Sequence, residues 1–189
     1  MVDRRQNILD AAAKSFTLFG YKATTMDQVA KIANVGKGTI YTFFENKEEL
    51  FKEIVSDLVQ QIKHVAVEAI RQERPFHENL HAALYGVLDF RKSHKLAIKI
   101  SQEGREMNTP AVKEASNMLE TAVMSFIRQE LEKAIEKGEI KKCNTEITSY
   151  VMLKMYVSLV FDWEMEHKPL SKEEIADIFE NILITGLRK

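Results

Sequence analysis

The stretch from Thr25 to Leu50, TMDQVAKIANVGKGTIYTFFENKEEL, constrains the fold more than any other, because it spells two short helices held by a tight turn and then the capped start of a longer one. Thr25 is a good N-cap, and Gln28 three residues on completes a capping box ahead of the apolar Val29, Ile32 and Ala33. Asn34, Val35 and Gly36 break that helix, since Asn and Gly tolerate the backbone angles of a sharp turn while Val35 can plug the angle between two helices. A second helix is expected from Lys37 to Phe44, with Ile40 and Phe44 one turn apart on its inner side. Asn46 and Glu49 make another capping box, so a third helix starts at Lys47.

The outward side of the second helix suits DNA. Lys37 can meet a phosphate, the Thr39 methyl can touch a thymine, and the Tyr41 hydroxyl can donate to a phosphate oxygen. Gly38 has no side chain to hold a partner away. Lys47 stands at a helix start, where backbone N–H groups also favour an anion. On these residues VGKGTIYTFFENKEELF resembles the recognition helix and following helix of the tetracycline-repressor (TetR) family of bacterial regulators, and the upstream RRQNILDAAAKSFTLFGYKATTM fits the same pattern. The resemblance covers the first quarter to third of the chain. It implies an N-terminal three-helix DNA-binding domain over residues 1–47 and a C-terminal helical ligand-binding and dimerisation domain over 48–189, about nine helices in all. It also implies that Thr25, Lys37, Thr39, Tyr41 and Lys47 touch DNA, mostly through phosphates. Two candidate contact positions depart from the family pattern. Gly36 stands where Ser is common, which removes a capping hydroxyl, and Phe43 stands where a Tyr or His often reaches a phosphate, a bond Phe cannot make.

Composition agrees with an all-α fold. Only 7 glycines and 3 prolines occur in 189 residues, and long 3.6-residue periodicities replace any alternation. The net charge of −1 excludes a generally basic coat, yet through Lys47 seven cations face four carboxylates, a local +3, which leaves −4 for the rest. A basic head on an acidic body suits local DNA contact. One cysteine, Cys143, rules out an internal disulfide, no signal peptide precedes Arg4, and the most apolar run, Tyr150 to Phe161, is short for a membrane span, so a cytoplasmic protein is expected. Cys143 beside Lys141 and Lys142 is read as an incidental thiol.

The first helix carries Ile8, Ala12, Phe16 and Phe19 and should end at Gly20. The helix from Lys47 should run to about Gln72, where Arg74-Pro75 stops it. Pro75 opens another, which contains His77-Glu78-Asn79-Leu80-His81, a match to the H-E-x-x-H zinc motif. A zinc hydrolase would also need a third ligand, for which Glu103 is the nearest candidate, and a substrate-binding strand. None is evident, so a solvated helix face is the preferred reading, with no catalytic residue, metal or cofactor. A short helix from Lys95 to Gln102 should give way to an irregular connection through Gly104 and Asn108, and Thr109-Pro110 begins a helix closing at Lys137-Gly138.

Between Tyr150 and Trp163 the next helix is apolar almost all round, and the last carries Ile175, Ile178, Phe179, Ile182 and Leu183 as one stripe. Such surface on one subunit predicts a homodimer through a four-helix bundle, with recognition helices about 34–36 Å apart on a near-palindromic operator. The resemblance further implies an enclosed small-molecule inducer. Tyr85, Leu88, Arg91, Met118, Met155, Tyr156 and Trp163 could line its space, with Arg91 as the cation for an acidic head group, although stripes of this kind also build cores. The function expected is a ligand-released repressor on double-stranded DNA. The competing classes are the zinc hydrolase and a helical interaction module that does not bind DNA.

Overall fold

In a computed structural model, which describes residues 3–93, 95–106 and 109–187, the chain is helical and holds no β-strand among the described residues. It divides into two compact units, Met1–Gln60 with His94–Leu119 and Gln61–Ser93 with Glu120–Lys189.

In the first unit α1 (Arg4–Ala23) starts on Asp3, whose carboxylate accepts from the Arg5 and Gln6 amides. Gly20 interrupts α1 at φ 80, ψ 170, so the regular helix stops where the sequence places its end, and one further turn follows. Thr24 closes that turn, its amide and hydroxyl both donating to the Gly20 carbonyl. The capping box of α2 (Met26–Ile32) forms in both directions. At its far end the Val35 amide donates to Ala30 O at 3.0 Å and the Asn34 amide to Lys31 O at 3.2 Å, a Schellman closure with Asn34 at φ 54. The left-handed residue of the turn is therefore Asn34. Gly36 is extended and caps α3 (Lys37–Phe43), which ends one residue earlier than expected because Phe44 turns to φ −139 with its ring buried.

The Glu49 amide donates to Asn46 Oδ1 at 2.8 Å, opening α4 (Lys47–Ala69). The reciprocal arm of that box lies one residue upstream of its expected place, with Glu49 Oε2 accepting from the Glu45 amide at 2.7 Å. Ile8, Ala12, Phe16, Val29, Ile40, Phe44, Leu50 and Phe51 are buried, and so are Leu96 and Ile100 of α6 (Lys95–Glu106) and Val112 and Ala115 of α7 (Pro110–Glu136). The break expected at Gly104 is absent. Gly104 lies inside α6 because a close helix pair needs it there: a Cβ would sit 3.2 Å from Ser116 Oγ and 3.8 Å from Val112 Cγ1 of α7. Asn108 lies outside the described residues.

The second unit contains α5 (Phe76–Ser93), α8 (Thr145–Val157), α9 (Trp163–Glu166), α10 (Lys172–Phe179) and α11 (Thr185–Leu187). Single π-helical turns, Ser158–Asp162 and Glu180–Ile184, join α8 to α9 and α10 to α11, which gives nine helical rods among the described residues. Helix α4 ends at Ala69, and Asn79 of α5 staples the following loop, accepting from the Arg71 amide and donating to the Arg71 and Arg74 carbonyls. Helix α7 closes in a second Schellman turn at Gly138, φ 72. The core of this unit joins Phe76, Leu88, Leu131, Met152, Val160, Ile175 and Phe179. Among the described residues no helix is long and apolar enough to cross a membrane.

Candidate nucleic-acid interface

The two sides of α3 differ as a groove-binding helix requires. Ile40 is fully buried, while Lys37, Gly38, Tyr41, Thr42 and Phe43 are exposed and Thr39 is half-buried. Tyr41 at 45 % and Phe43 at 38 % exposure are large rings that would pack inward if α3 were merely a core helix. Nothing lies within 4 Å of the point where a Gly38 Cβ would stand, so this part of the face is open backbone. At Gly36 the space would also admit a side chain, the nearest atom being Thr39 Oγ1 at 3.7 Å. The serine common in the family would fit; its hydroxyl is what this chain lacks.

Lys37 Nζ donates to Asp27 Oδ2 at 2.9 Å, a bond between α3 and the first turn of α2. That bond, then the nearby carboxylate charge, raises the lysine's pKa, so the side chain stays a cation. Asp27 was not anticipated from the sequence. Thr25, exposed at the start of α2, uses its hydroxyl to accept from the Gln28 amide at 3.2 Å and stays reachable from outside.

Lys47 is engaged differently. Its Nζ donates to the carbonyls of Tyr21 and Thr24, both at 2.9 Å, and lies 4.3 Å from the centre of the Tyr21 ring. Two of its three N–H bonds thus close the end of α1. The Tyr21 hydroxyl donates to Glu48 Oε1 at 2.7 Å; burial and this bond push the phenol's pKa up, and the same bond holds the Glu48 carboxyl below its ordinary range. Thr25, Gly36, Lys37, Gly38, Thr39, Tyr41, Phe43 and Lys47 all belong to the first unit.

The competing zinc reading finds no support among the described residues. His77 is half-buried, Glu78 and His81 are exposed, and the His81 ring stacks on Tyr85 at 4.5 Å. Glu103, the third-ligand candidate, is buried and accepts from the Tyr21 amide at 2.8 Å. No group of three or more His, Cys, Asp or Glu among the described residues could hold a metal ion.

The ligand candidates are dispersed. Leu88 is in the second unit's core, with Met155 and Tyr156 packed against it. Tyr85 lies under Lys172 Nζ, 5.0 Å from the ring centre. Trp163 is 40 % exposed, stacked on His167 and donating to Lys168 O. Met118 belongs to the first unit, and the Arg91 side chain lies outside the described residues.

The helix-turn-helix with its outward cation, hydroxyls and glycine, followed by a helical body, defines a DNA-binding regulator. The chain matches the family described as bacterial regulatory proteins, tetR family, over residues 8–54, and a tetracyclin repressor-like C-terminal domain over residues 73–187. It is 55 % identical, over 98 % of its length and 97 % of the relative's, to the uncharacterized HTH-type transcriptional regulator YhgD of Bacillus subtilis strain 168. Among solved structures, a SmeT–triclosan complex covers 98 % of this chain and 92 % of its own, with TM-score 0.81 at 16 % identity. A complex of AibR with isovaleryl coenzyme A and operator DNA covers 96 % and 98 %, with TM-score 0.69 at 21 % identity. The chain belongs to the TetR family and is a helix-turn-helix transcriptional regulator.

Proposed function

We propose that this regulator is a cytoplasmic homodimeric repressor, not an enzyme, that grips a near-palindromic operator through α3 and leaves it when a small apolar molecule binds the body. The observation that carries the reading is the exposed outer side of α3 over a fully buried Ile40. Residues 1–47 do the DNA work, through Thr25, Gly36, Lys37, Gly38, Thr39, Tyr41, Phe43 and Lys47, and 48–189 bind ligand and partner. The operator DNA in the AibR complex supports the first role. Exposed Ile147, Tyr150 and Val151 on one side of α8, with Ile182 of the last rod, support a second copy as the partner.

A small-molecule ligand is supported by the triclosan of SmeT and the isovaleryl coenzyme A of AibR, and its apolar character by triclosan alone. Met155 and Tyr156 lie in the last turn of α8, just before the π turn at Ser158–Asp162, and such turns recur at functional sites. Leu88, Met155 and Tyr156 are the lining we favour, with Tyr85, Arg91, Met118 and Trp163 as the further candidates.

The test starts from a duplex recovered by selection from a random library with the wild-type protein. Tyr41→Ala should weaken binding about fivefold per half-site on every duplex, the loss of about 1 kcal/mol that one hydrogen bond contributes. Thr39→Ala should instead change which base is preferred, by about 1 kcal/mol at one position, the worth of one buried methyl contact. Affinity should fall steeply with salt as phosphate contacts release counterions. Wild-type affinity and base preference in both variants, or a flat salt profile, would remove α3 from the interface.

A further inference from the structure

Glu103 of α6 is a buried carboxylate, 5 % exposed, 82 residues along the chain from the group it binds. Its Oε2 accepts from the Tyr21 amide at 2.8 Å. That amide follows directly on Gly20, where the φ of 80 takes the chain out of α1. Glu103 Oε1 occupies the place a Gly20 side chain would fill, 1.6 Å from an ideal Cβ. A buried polar group needs a partner, and the Tyr21 amide and the Glu103 carboxyl supply each other's.

What the carboxylate grips is the corner from which the helix-turn-helix is hung. The Tyr21 carbonyl accepts from Lys47 Nζ, its hydroxyl donates to Glu48, and its ring lies 4.7 Å from Phe51 and 5.8 Å from Phe16. Lys47 also holds the carbonyl of Thr24, the residue before the N-cap of α2. The end of α1 and the starts of α2 and α4 therefore meet at one backbone segment, and α6 fixes it with one side chain.

We propose that Glu103 is a positioning residue for DNA recognition: by holding the Tyr21 amide against the cleft above Gly20, it sets the placement of α2 and α3 that a duplex groove requires. The role is geometric. An acceptor of the right length is needed, and its charge is not. Because it acts through α3, the inference rests on α3 being the DNA-contacting helix, and Tyr41→Ala serves as the control that separates the two.

The experiment uses the full chain and the selected duplex. Glu103→Gln keeps an acceptor at the same reach and should bind within threefold of wild type. Glu103→Asp keeps the charge but is one methylene short and should lose tenfold or more, as should Glu103→Ala. Hydrogen exchange at the Tyr21 amide, measured on the same samples, should be slow in wild type and Glu103→Gln and fast in Glu103→Asp and Glu103→Ala. If Glu103→Ala fails to fold, Glu103→Asp against Glu103→Gln decides.

Fast exchange at Tyr21 with undiminished operator affinity would overturn the inference, leaving Glu103 a prop of stability only. A Glu103→Gln defect as large as that of Glu103→Asp would overturn it too, since charge would then be the requirement. If Tyr41→Ala loses affinity while every Glu103 variant binds as wild type, this inference alone fails. If Tyr41→Ala also binds as wild type, the reading of α3 fails with it.

Discussion

Replacing Gly20 by alanine is expected to destabilise the first unit by roughly 2–6 kcal/mol, from two costs that do not overlap. The first is conformational. At φ 80, ψ 170 the backbone occupies a region open to glycine almost alone, and a β-carbon there costs about 1–3 kcal/mol. The second is steric and polar: the new methyl would overlap the Glu103 carboxylate, so the carboxylate must leave and the buried Tyr21 amide loses its acceptor, at about 1–3 kcal/mol. Urea unfolding at equilibrium measures the sum. Gly36→Ala is the internal comparison, because φ −65 with the nearest atom at 3.7 Å leaves no strain or clash and only the cost of a poorer N-cap, about 1 kcal/mol. Truncating Glu103 in the Gly20→Ala background should recover only the steric part, so the two changes will not add. A Gly20→Ala protein within 1 kcal/mol of wild type would contradict the account of this corner.

The second large effect is expected at Ile147 and Val151, 60 % and 42 % exposed and one turn apart on α8. In the proposed dimer these side chains face the partner copy, and a glutamate at both would set four carboxylates against an apolar seam. The double variant should sediment as a monomer with its helical content intact. Operator affinity should then fall by a factor of about 100 or more, because a second head tethered to the first binds at high effective concentration and a lone head does not. The α3 contacts are untouched by the change, so binding of a single half-site should survive at its intrinsic strength. A double variant that remains dimeric, or a monomer that binds the full operator as tightly as wild type, would exclude this side of α8 from the assembly.

The helix-turn-helix was legible because its signals are local. The Thr25–Gln28 box, the Asn34 turn and the Ile40–Phe44 pair each depend on residues no more than a few positions apart, and each is found in place. The small departures are local too: Gly36 is an extended cap and Asn34 takes the left-handed angle, since a Schellman closure places that angle directly after the helix. Gly20 was legible as a helix end but not as the seat of a carboxylate. No pattern joins it to Glu103, because packing between helices distant in sequence leaves no periodic trace. The same limit explains Gly104, which reads as a breaker and is in fact the close contact between α6 and α7. It explains Lys47 as well, whose ammonium is spent largely on two carbonyls of the preceding corner. The ligand candidates were the least legible, since a Met or aromatic side chain at helical spacing serves a core and a pocket equally, and Leu88 stands in the core of the second unit.

The central claim is that the outer side of α3 lies against a duplex, and Gly38→Ala tests it with one methyl. Inside α3 alanine is the better helix former by about 0.5–1 kcal/mol, and nothing in the protein stands within 4 Å of the added carbon. The account predicts a protein slightly more stable than wild type whose operator affinity nevertheless drops tenfold or more, since a methyl forced into a filled contact costs about 1–3 kcal/mol. Higher stability with undiminished operator binding would contradict it.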